Sequence, residues 1–283
     1  MIKRLLISFA FIAFLTNLFI SNASSEEKIF ISVVPFHAPE KIWHLYSPFV
    51  DYLNKNTDIK WELKIYPNHD AIKEALCSNE ISIALFGPIL VYETHKECGA
   101  TPLITALNDN GKVNFKVAIV SVDPKIKSLK DLKGHKVGLF KPQAVANWVT
   151  KKMLDDEGLN EGNVEFIVFQ SLERILNEIL TGSIKAGGVR EMTLKTFRNF
   201  NFNILKISEP LPGFAFMASP HISQDVRKKF INALLKLKPL KNKTDMSTVK
   251  MWDETIKYGF SLPPKDYMQE VNKYYILYSK YAQ

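Results

Sequence analysis

The sequence predicts an α/β protein of two lobes, each a mainly parallel sheet flanked by helices. Short β-branched runs alternate with amphipathic stretches along almost the whole chain, the order that builds strands covered by helices. The stretches before and after about residue 114 repeat one plan of strand-helix pairs. The chain has 283 residues, enough for two lobes of about 100 to 150 residues each.

The N-terminus reads as an export leader. Lys3 and Arg4 precede an apolar run from Leu5 to Ile20, and Ser21-Asn22-Ala23 offers the small residues of a cleavage site. The run is shorter than the roughly 20 residues a membrane-spanning helix needs. Cleavage near Ala23 is therefore expected, making residues 1–23 a signal peptide. No Cys follows the run to carry a lipid anchor.

Lys28 to Val34 is a nearly all-apolar run of the kind found in sheets covered on both faces. Ile42 to Leu53 has apolar residues at helical spacing, interrupted by Pro48. There Trp43 and Tyr46 are expected to pack helix against sheet. Trp61 to Tyr66 alternates as a strand, and Asn68 or Asp70 can cap a helix ending at Cys77. The strand Ile81–Phe86 leads into a helix opened by Pro88, where proline is tolerated. The second unit starts with the strand Phe115–Val122. Strands at 136–140, 164–169 and 184–189 follow, with helices at 143–157, 171–181 and up to Phe197. Strands at 203–207 and 214–218 flank a Pro-rich turn, an amphipathic helix covers 226–237, and the Tyr-rich region 249–282 reads as helical.

Composition narrows the function. A formal net charge of +8 favours anionic ligands slightly. The lysines are scattered without an aromatic-interleaved stripe, so no nucleic-acid partner is expected. The chain lacks a G-x-S-x-G elbow, an H-E-x-x-H pair and a phosphate-binding glycine loop, so no enzyme activity is expected. Neither a cofactor nor a metal is expected, since no His or Cys cluster has ligand spacing. Cys77 and Cys98 each end a helix, with one strand between them, so both sulfurs lie at one edge of the layer. In an oxidising compartment they are expected to form a disulfide.

Several stretches together resemble a known family: "VVPFHAPEKIWHLYSPFVDYL", "IALFGPILVYE", "SLKDLKGHKVGL", "ILTGSIKAGGV" and "ISEPLPGFAFMAS". In this order they are similar to the periplasmic solute-binding proteins of phosphonate, phosphate and phosphite ABC transporters, which have the type II periplasmic binding protein fold. The resemblance covers roughly residues 29–237. It implies lobe 1 from 27–113 plus 215–283, and lobe 2 from 114–214 including two hinge strands that pair antiparallel. It also implies a ligand cleft between the lobes, a periplasmic location, and delivery to an ABC permease in the inner membrane. A monomer is expected. The alternative reading is a sensing module that presents its closed form to a sensor kinase or chemoreceptor.

Ligands of open α/β sheets bind beyond the carboxyl ends of strands, where helix N-termini gather. That places Phe36, Tyr66, His69, Phe86, Gly87, Gln143, Asn147, Ser171 and Arg190 as candidate ligand-binding residues. Gln143 and Asn147 sit one helical turn apart and offer amides, while Arg190 offers a bidentate cation. Tyr66 and Phe86 could sandwich an apolar group or simply pack the lobe. Arg190 could instead pair with Glu191 or Glu173, and His37 and His69 could be solvated caps. The side chains depart from the family. Its Ser/Thr-rich anion turn is Gln143-Ala-Val-Ala-Asn147 here, and Ser171-Leu-Glu173 lacks the histidine often found there. Two strand-opening aspartates of the family are Ser82 and Lys185. The expected ligand is small and polar, anionic or zwitterionic, and phosphonate specificity does not carry over.

Overall fold

The computed structural model describes residues 28–281; the expected signal peptide, residues 1–23, lies outside the described residues. The chain begins with β1 (Lys28–Val33), α1 (Pro39–Asn56), β2 (Lys60–Leu63), α2 (His69–Cys77), β3 (Ile83–Phe86), α3 (Pro88–Cys98) and β4 (Thr101–Ala106). Strand β1 runs parallel to both β2 and β3. All four side chains of β3 are buried, as a strand covered on both faces requires. Pro48 is accommodated inside α1, whose buried stripe is Ile42, Tyr46, Phe49, Val50 and Leu53. Trp43 does not join that stripe: it is 55% exposed, one residue off the inward face.

The chain leaves this sheet through β5 (Asn114–Phe115) and enters a second one. There follow β6 (Val117–Ser121), a 3₁₀ turn at Leu129–Leu132, β7 (Lys136–Leu139), α4 (Val145–Asp155) and β8 (Glu165–Val168). After α5 (Leu172–Leu180) come β9 (Ala186–Arg190), α6 (Glu191–Leu194), β10 (Asn203–Ile207) and β11 (Leu211–Pro212). The five-stranded order is β10-β6-β9-β7-β8. Strands β5 and β11 pair antiparallel as a separate two-stranded ribbon between the sheets. The long strand expected at 115–122 is thus divided, its first residues belonging to the crossing. Helix α4 lies close on β9 because Gly188 has no side chain: a Cβ there would sit 1.8 Å from Thr150 Oγ1.

The return leg is β12 (Ala215–Ala218), α7 (Gln224–Leu235), α8 (Lys243–Val249), β13 (Phe260–Ser261) and α9 (Tyr267–Tyr281). It completes the first sheet in the order β13-β4-β12-β3-β1-β2. Both sheets are therefore mixed. Their parallel strands come from strand-helix-strand units; antiparallel strands sit where the chain arrives from or leaves for the other sheet, and β13 adds an antiparallel edge beside β4. The region 249–282 is not one helical stretch. Gly259, at φ +100°, turns the chain in a conformation L side chains rarely adopt, and Pro263-Pro264 delays the helix until Tyr267.

Helix α9 lies against both α3 and α4. The Tyr275 ring stacks on Tyr92 at 4.0 Å, and Tyr278 and Tyr281 approach Trp148 of α4. Its tyrosines also hold the crossing segments: Tyr267 donates to the Gly213 carbonyl at 2.7 Å and Tyr274 to that of Pro210 at 2.9 Å. A disulfide joins Cys77 to Cys98, linking the ends of α2 and α3 with Cα atoms 5.4 Å apart.

Candidate functional site

The two sheets meet around a small cavity of about 50 Å³ at the strand ends. Three loops reach it: Phe36 after β1, Gly87 after β3 and Gln143 after β7. The N-terminal turns of α3 and α4 both line it. Their cap residues are Gly87 and Ala144, and neither supplies a side-chain oxygen to the free amides. By contrast α2, α5, α7 and α8 are capped by Asn68, Ser171, Ser223 and Asn242. The amides of Ile89, Leu90, Val145 and Ala146 have no intrahelical acceptor, and the helix dipoles favour negative charge there. Gly87 allows Phe214 close contact; a Cβ at that position would meet the ring at 3.3 Å.

Arg190 ends β9 in the five-stranded sheet, yet its guanidinium lies among residues that belong to the other half. Its Cζ is 4.3 Å from the Phe36 ring centre and 5.2 Å from that of Phe214. The residue is only 6% exposed. Nη1 donates to Thr255 Oγ1 at 3.1 Å, while Nε is buried without a partner. Neither Glu191 nor Glu173 forms an ion pair with it. Burial lowers its pKa, an effect opposed by Asp253, Tyr46 and Glu173, and a guanidinium stays protonated under such conditions.

Beside Arg190 stands an ionic cluster that joins the halves. His37 Nε2 is 2.8 Å from Asp253 Oδ2, and Nδ1 is 2.9 Å from Glu173 Oε1. Lys41 Nζ reaches the same Glu173 oxygen at 2.8 Å. A carboxylate at each ring nitrogen favours the imidazolium form of His37. Burial alone would lower its pKa, but Asp253 and Glu173 together raise it. Burial would raise Glu173, but His37 and Lys41 bring it down to about 2. Asp253, although buried, is held well below the usual carboxylate range by His37, Arg190 and Thr255. Lys141 adds one more bridge, donating to the Pro35 carbonyl at 3.2 Å.

Five of the sequence-derived candidates meet at the cavity: Phe36, His69, Gly87, Gln143 and Arg190. His69 is buried there, and burial together with the Lys141 charge lowers its pKa to about 4, so it is neutral near pH 7. Four candidates are not on the cavity wall. Tyr66 turns to Glu80, to which its hydroxyl donates at 2.7 Å. Phe86 is fully buried in the core. Asn147 donates to the Phe140 carbonyl, bracing the turn that precedes α4. Ser171 caps α5 by accepting from the Arg174 amide. Phe115, Phe140, Leu172 and Phe214 also line the wall and were not anticipated, nor was the pairing of His37 with Asp253.

A cleft at strand ends between two sheets with antiparallel crossings is the geometry of hinged solute-binding proteins. The model of the family described as "ABC transporter, phosphonate, periplasmic substrate-binding protein" matches residues 31–256. The chain belongs to this family. No match is found among curated proteins. Solved structures share the fold of this phosphonate-type binding protein. A binding protein component of an ABC phosphonate transporter from Pseudomonas aeruginosa superimposes with a TM-score of 0.74 at 12% identity, covering 91% of this chain and 89% of its own. PhnD1 from Prochlorococcus marinus in complex with methylphosphonate gives 0.75 at 13% identity, with 90% and 99% covered. The periplasmic aliphatic sulphonate binding protein from Escherichia coli gives 0.61 at 13% identity, with 90% and 92% covered. Among the described residues, no Ser, Thr or Tyr lines the cavity of this phosphonate-type protein.

Proposed function

We propose that this phosphonate-type binding protein is exported, loses its leader near Ala23, and works as a monomer that captures a small anionic or zwitterionic ligand between its lobes. The lobes comprise about 27–113 plus 215–283, and 114–214. The closed form is what an inner-membrane ABC permease receives. The observation that carries this reading is Arg190, which crosses from one sheet to be buried among aromatic rings of the other, beside two uncapped helix N-termini. Domain closure of this kind is a hinge motion at the β5–β11 ribbon, on a microsecond-to-millisecond timescale.

The test is a thermal-shift screen of the mature chain with phosphate, phosphite, methylphosphonate, alkyl sulfonates, short carboxylates and amino acids. A ligand at 100 times its Kd stabilises by about 2.7 kcal/mol, so a hit is readily seen and should saturate. Failure of every compound class to stabilise the protein would overturn the reading. Turnover of a bound compound would replace it with an enzymatic one.

A further inference from the structure

We propose that the ligand is a short-chain monocarboxylate, an anion of the size of propionate, with its carboxylate on the Nε edge of Arg190. This rests on the binding-protein reading and names the substrate class of the same cavity. Arg190 is a nine-tenths buried cation on the cavity wall whose Nε has no partner, while Nη1 is already given to Thr255. The Nε and Nη2 hydrogens form a parallel fork that matches the two oxygens of a planar carboxylate. Amides at the starts of α3 and α4 add donors suited to negative charge.

Charge balance favours an anion. His37, Lys41, Lys141 and Arg190 outnumber the two carboxylates beside them, Glu173 and Asp253. A phosphonate would find no hydroxyl donor on the wall. An amino acid would bring an ammonium group, but no Asp or Glu lines the cavity, so that charge would be buried unpaired. Apart from Arg190, His69 and Gln143, the side chains of the wall are carbon, among them Val34, Phe115, Phe140, Val145 and Leu172. This surface suits an alkyl body. Size follows from volume. A water-sized group needs about 10–15 Å³ of such space, so 50 Å³ admits only a few non-hydrogen atoms.

The test is calorimetric titration of the mature chain with acetate, propionate, butyrate, octanoate, alanine, methanesulfonate, phosphate and methylphosphonate. Propionate or butyrate should bind at least tenfold more tightly than alanine, methanesulfonate, phosphate or methylphosphonate, and octanoate should not bind. Arg190→Gln should weaken propionate at least tenfold, and Arg190→Lys, which keeps the charge without the fork, should also weaken it. Tightest binding of methylphosphonate, methanesulfonate, phosphate or alanine overturns the carboxylate assignment and leaves the binding-protein reading intact. So does unchanged propionate affinity in both folded variants. Binding of none of the compounds overturns both. The wild-type ranking decides the matter even if neither variant folds.

Discussion

Arg190 divides two regions of opposite character. On one side is the cavity of about 50 Å³, walled mostly by carbon, with His69, Gln143 and helix starts whose amides have no side-chain cap. On the other is a larger space of about 210 Å³ edged by His37, Lys41, Glu173, Asp253 and Lys257, where charges satisfy one another. Both regions bridge the sheets, but by different means. In the ionic region each buried charge already has a protein partner, so it acts as a clasp. In the apolar region the donors are unspent, so it can act as a receptor. On the proposed function, recognition and closure fall to neighbouring but distinct sets of side chains, with one arginine shared.

This contrast can be broken at several points. The largest effect is expected from Asp253→Leu, which removes the counter-charge of His37 and leaves that buried cation and Arg190 without it. Removing one partner of a buried pair typically costs about 3–5 kcal/mol, and urea unfolding should show a loss of that size. Replacing both Cys77 and Cys98 with Ser should cost about 3 kcal/mol for a loop of this length, with ligand affinity unchanged because the bond is not on the cavity wall. Gly188→Ala should cost about 1–3 kcal/mol through overpacking against Thr150. It should also weaken binding, since α4 carries the cavity-facing turn.

The clasp should depend on pH. His37 has a raised pKa when paired, so its contribution is complete below its unpaired value of 6.5 and is lost as pH rises through the higher, paired value. Glu173 has a lowered pKa, so its contribution is complete above 4.5 and is lost as pH falls towards about 2. The closed form is therefore best held between about pH 4.5 and 6.5, a window set by these two groups. Melting temperature against pH should fall on the alkaline side of this window, and His37→Gln should flatten that fall. The smallest effect is expected at the exposed rim, where the Lys28–Glu62 pair contributes about 0–1 kcal/mol.

Much of the fold was legible because alternation of strand and helix is a local pattern. Strand β4 escaped because Pro102 sits within it, and proline argues against a strand. It is tolerated beside a register shift against β12. Arg190 and Gln143 were legible as strand-end positions next to helix starts. The position next to Gly87 illustrates the limit: Phe86, one residue earlier, faces the core instead. Asn147 and Ser171 have the right chemistry but spend it on their own backbone. The clasp was illegible for another reason. His37 and Asp253 are separated by 216 positions, and only the return of the chain through β12 brings them together. Phe214 and Phe115 belong to the crossings, where no period marks which side a ring will take.

If the halves close on a ligand held at Arg190, the molecule becomes more compact on binding. Small-angle scattering of the mature chain measures this, with propionate and methylphosphonate each added at concentrations that calorimetry shows to saturate. A smaller radius of gyration is expected with whichever compound binds, and no such decrease in Arg190→Gln. An unchanged radius with a compound shown to be bound, or the same decrease without the Arg190 guanidinium, would contradict it.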